Sequence, residues 1–173
     1  MNETHSMISE IYALTVKDLI EPINAKESYV EKCDGVEQVF HLLSKKNHVW
    51  VVDDKVTLHV LGVITESDTI QLFAPPITPL QSFDKPTLQS FQYGLSTVAE
   101  EIMSSQPITA DPDEKIVDVI IKMKQHKIKQ LPVIDENKRI TGEITLHRLI
   151  REYAKRHHED TQMKNTEILE KKI

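Results

Sequence analysis

The run Gly62-Val63-Ile64-Thr65-Glu66-Ser67-Asp68 places two hydroxyls and two carboxylates where a strand gives way to a helix. Thr65 and Ser67 set their hydroxyls, and free backbone N–H groups, at the start of that helix, where an anion is well received. Asp68, in the first turn, can accept hydrogen bonds from a vicinal diol such as a ribose. A hydrogen bond to a charged group is worth about 1.5–3 kcal/mol, so one carboxylate can decide binding. The same residues also make an ordinary capping box, with Thr65 as N-cap and Asp68 three positions on. The segment alone leaves both readings open. Other chemistry is poorly supplied. The chain has four glycines and no Gly-rich phosphate loop, and no Ser-His-Asp or Cys-His arrangement is legible, so no residue is assigned a catalytic role. His157 and His158 lie beside Glu159 and Asp160, but adjacent helical residues point about 100° apart, so no metal site is expected there.

The elements that would position this corner occur twice. Val51-Val52-Asp53 answers Val133-Ile134-Asp135, and Gly62-Val63-Ile64-Thr65 answers Gly142-Glu143-Ile144-Thr145, at a spacing of about 80 residues. Upstream, Thr15–Ile20 answers Thr97–Ile102. Each copy reads as β-α-β-β-α. Val36, Val39, Phe40 and Leu43 give one helix an apolar face, with Asp34 as its cap. Ile116, Val117, Ile120, Ile121 and Met123 give the other, with Asp113 as its cap and Glu114 in its first turn. Val49–Val52 and Leu131–Ile134 read as buried strands, Val60–Ile64 and Ile140–Ile144 as their hairpin partners. Glu66–Phe73 and Leu146–Arg156 read as closing helices. The organisation expected is an N-terminal segment (1–11), a first repeat (12–74), an extended connector (75–93), a second repeat (94–156) and a polar tail (157–173). Four prolines mark the connector region as non-helical, while Phe83, Leu88, Phe91 and Tyr93 suggest that it packs on the body.

The second copy breaks the pattern at one position. Thr145-Leu146-His147-Arg148 has an arginine where the first copy has Asp68. A guanidinium has no acceptor and cannot hold ribose hydroxyls. Thr145, Arg148 and Lys129 therefore form a candidate anion site, the alternative being a solvated arginine on a helix.

Composition narrows the classes. The chain has 173 residues, 39% of them hydrophobic and 28% charged, which suits a folded chain. A net charge of −6 argues against a nucleic-acid or anionic-membrane surface. The lone Cys33 cannot form an internal disulfide or a cysteine-rich metal site. No stretch is long and apolar enough to span a membrane, and no signal pattern opens the chain, so a cytoplasmic location is expected.

The doubled order of helix, apolar strand with Asp, hairpin, Gly-x-Ile-Thr and helix resembles the CBS-domain family, named for cystathionine β-synthase. Gln130-Leu131-Pro132-Val133-Ile134-Asp135 and Gly142-Glu143-Ile144-Thr145 are similar to its two short signatures, and the likeness covers about residues 12–156. It implies a mixed α+β fold, with two pseudo-symmetric repeats packed sheet against sheet. It also implies a non-catalytic sensor that binds AMP, ADP, ATP or S-adenosylmethionine between the repeats and needs no other cofactor. By that likeness Thr65 and Asp68 would hold the ribose, with Ser67 beside them. Asn47 and His48 would face the phosphate or its equivalent, and the strand near Ile108 would lie along the adenine. His48 is either a phosphate donor when protonated or an exposed polar residue at a strand start. Trp50 stands where the family usually has proline, either as core or as a surface for a base. A homodimer with an isologous interface and a separate regulated protein are the expected partners. A ligand-free dimerisation scaffold is the alternative function.

Overall fold

Alternation of apolar runs with turn-forming residues is realised as seven strands and seven α-helices among the described residues. The computed structural model describes residues 3–24, 28–73 and 98–170, and the side chains of 8–24, 28–73 and 98–159. In chain order the elements are α1 (Glu3–Ala13), α2 (Val16–Leu19), β1 (Glu21–Pro22), β2 (Tyr29–Glu31), α3 (Val36–Leu43), β3 (His48–Val52) and β4 (Val60–Thr65). A 3-10 turn (Glu66–Thr69) leads into α4 (Ile70–Phe73). There follow α5 (Ala99–Ile102), β5 (Ser104–Ser105), α6 (Ile116–His126), β6 (Gln130–Ile134), β7 (Ile140–Thr145) and α7 (Leu146–Glu170). The last helix thus runs on through most of the polar tail. The connector expected over 75–93, with Phe83, Leu88, Phe91 and Tyr93, lies outside the described residues, as does Thr97.

The chain divides into two compact units. One comprises Met1–Pro22, Ile108–Asp135 and Thr141–Ile173; the other comprises Ile23–Pro107 and Glu136–Ile140. In the second of these, β2-β3-β4-β5 form one sheet, with β2 parallel to β3 and the other pairs antiparallel. Val30, Val36, Val39, Leu42, Val49, Val51, Ile64, Ala99 and Ile102 bury together on it. A smaller cluster holds Tyr29, Trp50, Val52 and Ile140. Trp50 is 1% exposed, which settles it as core. In the first unit, β1-β7-β6 form the sheet. Its core joins Ile11, Val16 and Leu19 to Ile116, Val119, Met123, Leu131, Val133, Ile144 and Leu149.

Each unit is completed by the opening segment of the other copy. In the first unit Val16 N–H donates to the Glu114 carbonyl and Lys17 N–H to that of Pro112, each at 2.9 Å. In the second, Ala99 N–H donates to the Asp34 carbonyl at 2.9 Å and Glu100 N–H to that of Lys32 at 3.0 Å. A helix leaves its first N–H groups without internal partners, and here loop carbonyls of the other copy supply them. The strand that follows each short helix then joins the sheet. Glu21 and Pro22 stand opposite Glu143 and Gly142, and Ser104 and Ser105 opposite Val63 and Gly62.

That close approach explains the repeated glycines. A Cβ on Gly142 would lie 2.4 Å from Ile20 Cγ1 and 2.7 Å from the Glu21 carbonyl oxygen. One on Gly62 would lie 2.6 Å from Met103 Sδ and 2.8 Å from the Ser104 carbonyl oxygen. No larger side chain fits without moving the incoming strand.

Several local expectations are corrected. Asp113 does not cap its helix; Lys115 is the N-cap and Asp113 pairs with Lys17 at 2.8 Å. Glu114 precedes the helix, where its carboxylate accepts from Lys122 Nζ at 2.8 Å. Gly35, not Asp34, is the N-cap of α3, and Asp34 turns back to accept the Glu31 N–H at 2.9 Å. At both starts the carbonyls just before the helix accept N–H groups of the exchanged segment. Ile121 is 45% exposed, and Val119 takes the core position instead. The upstream blocks match one residue later than their letters suggest, because Val98 occupies the place of Thr15 as the N-cap.

Candidate functional site

Antiparallel pairing of β3 with β4 sets His48 directly opposite Thr65. The chain ends β4 at Thr65 and turns at once into the 3-10 turn, of which Thr65 is the N-cap. Asp68 folds back on it. Its Oδ2 accepts the Thr65 N–H and the Thr65 hydroxyl, each at 2.7 Å. Its Oδ1 accepts the Ser104 hydroxyl at 3.2 Å. The capping arrangement is therefore real, and it fixes the carboxylate at the corner through two short bonds. Thr69 adds a bond to the Glu66 carbonyl at 2.7 Å, which tightens the turn.

His48 is buried, at 6% exposure, with its ring 5.2 Å from that of Trp50 in an edge-on contact. It is thus no exposed polar residue at a strand start. Asn47, next to it, is exposed, as is Ser67, while Thr65 and Asp68 are half-buried. The structure brings His48, Thr65 and Asp68 together at one end of the β3–β4 pair. Ile108 belongs to the other unit, half-buried beside that unit's core.

The equivalent corner of the second copy is built differently. Thr145 accepts the Arg148 N–H through its hydroxyl at 3.0 Å, an N-cap bond at the start of α7. The Arg148 guanidinium reaches along the helix to Glu152 at 3.5 Å. Glu152 is buried and also accepts from Arg156 Nε at 2.9 Å. Lys129 is exposed and contributes its carbonyl, which accepts the Leu146 N–H at 2.7 Å.

Two residues at these corners escape a reading of the sequence, Ser104 and Glu21. Ser104 bonds to Asp68, and Glu21 Oε2 lies 3.5 Å from the Thr145 hydroxyl. Both come from the exchanged strands, so nothing in the local sequence of either corner announces them. Among the described residues no group of three His, Cys, Asp or Glu side chains is placed to hold a metal, and no helix is long and apolar enough to cross a membrane.

Comparison with known proteins gives this geometry a context. The family profile described as CBS domain matches residues 98–155. A CBS domain pair solved in complex with 5′-methylthioadenosine and S-adenosyl-L-methionine is 26% identical, with a TM-score of 0.59, over 80% of this chain and 98% of that one. A second structure, a complex with AMP, shares the fold at a TM-score of 0.61 and 21% identity, over 79% of this chain and 93% of that one. The L-aspartate semialdehyde sulfurtransferase of Methanocaldococcus jannaschii is 31% identical over 134 residues, 75% of this chain. The chain spans only 21% of that protein's length. The CBS-domain profile thus covers the second copy, and the chain as a whole shares the fold of solved CBS domain pairs.

Proposed function

We propose that the chain is a non-catalytic regulatory module that binds an adenosyl nucleotide, with the first repeat (12–74) supplying the ribose-reading carboxylate and the second (94–156) lacking one. The observation that carries this reading is the fixed Asp68 carboxylate at the β4 corner, with His48 opposite Thr65. A diol needs acceptors, and an ionised carboxylate offers several lone pairs and no proton. Asn47, Ser67 and the backbone near Ile108 are the further contacts in this reading. Thr145, Arg148 and Lys129 would receive an anionic group, if any ligand reaches them.

AMP, ADP, ATP and S-adenosylmethionine all present the adenosine that Asp68 would read. S-adenosylmethionine and 5′-methylthioadenosine come first in the test, because the 26%-identical domain pair was solved with both. The module would act in a cytoplasmic homodimer on a regulated protein of another chain.

A thermal-shift panel of these nucleotides tests the reading. A ligand at 100 times its dissociation constant adds about 2.7 kcal/mol of stability. A shift with at least one adenosyl compound, lost in Asp68→Ala, is expected. Flat melting curves across the panel at millimolar ligand would sink the proposal in favour of a ligand-free dimerisation scaffold. One observation favours that second reading: Leu146 and Ile150 on α7 are 39% and 56% exposed, an apolar stripe that a second subunit would cover.

A further inference from the structure

The turns of the two hairpins meet at one histidine. The β3–β4 turn carries His59, which forms an antiparallel bridge with Arg139 in the β6–β7 turn. Beside it, Ile140 N–H donates to the Leu58 carbonyl at 2.9 Å. The ring of His59 reaches in two directions. Its Nδ1 lies 3.0 Å from Asp53 Oδ2, and its Nε2 lies 3.1 Å from the Asn137 carbonyl oxygen. Asp53 is held in place by the Asp54 N–H at 2.8 Å and the His59 N–H at 2.9 Å, both on Oδ1.

Both ring nitrogens therefore face acceptors. A neutral imidazole carries one N–H and can satisfy only one of them; the other contact sets lone pair against lone pair. An imidazolium donates to both. Histidine is the side chain whose ordinary titration falls between about pH 5 and 8. The His59 side chain is 47% exposed, so a proton reaches it without any opening of the fold. The neighbouring charges are of both signs. Asp53, Asp54 and Lys55 lie on its own turn, and Glu136, Lys138 and Arg139 on the other, with Asp135 at that turn's base. Lys55 is drawn off to Glu31 at 3.6 Å. Asp53 stays ionised well into acid: burial pushes its carboxyl up, but bonds from Thr57, Asp54 and His59 outweigh this and hold it below the usual range.

Backbone conformation shows that the joint is over-determined. Leu58 has φ 56° and Lys138 φ 60°, the left-handed region that side-chain-bearing residues avoid. Each immediately precedes a residue of the bridge.

We infer that His59 is a proton-operated clasp: protonation fastens the β3–β4 turn to the β6–β7 turn, and deprotonation loosens it. The readout is amide exchange at Ile140, whose N–H crosses the joint, corrected for the intrinsic pH dependence of exchange. Protection in the wild-type chain should be up to about fivefold higher near pH 5.5 than near pH 8, the range of a surface ion pair. In His59→Gln that difference should vanish, while the Ser44 amide, bonded to Phe40 within its own helix, stays protected in both proteins. Equal Ile140 protection at the two pH values in the wild type overturns the inference, as does an undiminished rise in His59→Gln. Should His59→Gln fail to fold, the ring nitrogen resonances of the wild type decide. Protonation that leaves the Asn137 and Ile140 signals unmoved rejects the clasp, and protonation that shifts both supports it.

Discussion

The corners that end β4 and β7 hold equivalent places in the two copies and differ in charge. At the first, the carboxylate of Asp68 sits on the helical side and a hydroxyl, Ser104, comes from the exchanged strand. At the second, the helical side carries Arg148 and the exchanged strand brings a carboxylate, Glu21. Arg148 is then drawn along α7 by Glu152, and Glu21 also meets Arg151 at 3.7 Å. One corner thus presents a fixed carboxylate, and at the other arginines and carboxylates pair with one another. The fold specifies where a corner lies; the side chains decide what, if anything, it recognises.

The largest expected effect tests whether the two copies differ in core as well as in charge. Trp50 fills the small cluster with Tyr29, Val52 and Ile140, whereas its counterpart in β6 is Pro132. Trp50→Ala should cost about 3–5 kcal/mol in denaturant unfolding. Pro132→Ala should cost clearly less, and equal losses would erase the distinction. Next comes the charge itself. Asp68→Ala should weaken adenosyl binding by about 1.5–3 kcal/mol, roughly ten- to more than a hundredfold by calorimetric titration. Arg148→Ala should leave that affinity nearly unchanged; the opposite pattern would assign the working corner to the second copy.

A third comparison concerns the glycines. Gly142→Ala should destabilise by about 1–3 kcal/mol, because the new methyl meets branched Ile20 and a carbonyl. Gly62→Ala should cost less, since flexible Met103 can yield part of the space, and a reversed order in thermal unfolding would contradict that account. A smaller effect separates the helix ends. Lys127 closes α6 in the left-handed region at φ 56°, so Lys127→Gly should stabilise by about 1 kcal/mol. Ser44 closes α3 at φ −65°, so Ser44→Gly should bring no gain. The smallest effect is in acid. The Thr15 N–H and then its hydroxyl hold Asp18 below the usual carboxylate range. Its stabilising share is present above the unfolded-state value of about 4 and lost as pH falls through the lower folded value. Asp18→Asn should therefore be the less stable protein at neutral pH and match the wild type in strong acid.

The repeat was legible because hairpin strands print their burial directly in the sequence. Val49–Val52 and Leu131–Ile134 are both strands, and Val51 and Val133 are both fully buried. The two extra residues of the first copy fall in its hairpin turn. Asp34 and Asp113 look like helix caps in sequence, whereas their carboxylates serve the Glu31 N–H and the Lys17 ammonium. No periodicity of 3.6 or 2 records a partner that arrives from another part of the chain. The same reason hid Ser104 and Glu21 from the corners. His48 was ambiguous for a different reason: a place at a strand start does not say whether the ring is buried, and here it lies against the Trp50 indole two residues on, on the same face.

The exchange of opening segments has a temporal side. The contact between Glu21 and Thr145 joins residues 124 apart in the chain. During synthesis α2 and β1 emerge early, yet the sheet that they complete is not yet made. Until β7 follows, Val16 and Leu19 have no finished core to enter. Assembly of that unit must therefore wait for β7, and its folding rate should reflect loop closure over that distance rather than the quick formation of local helices.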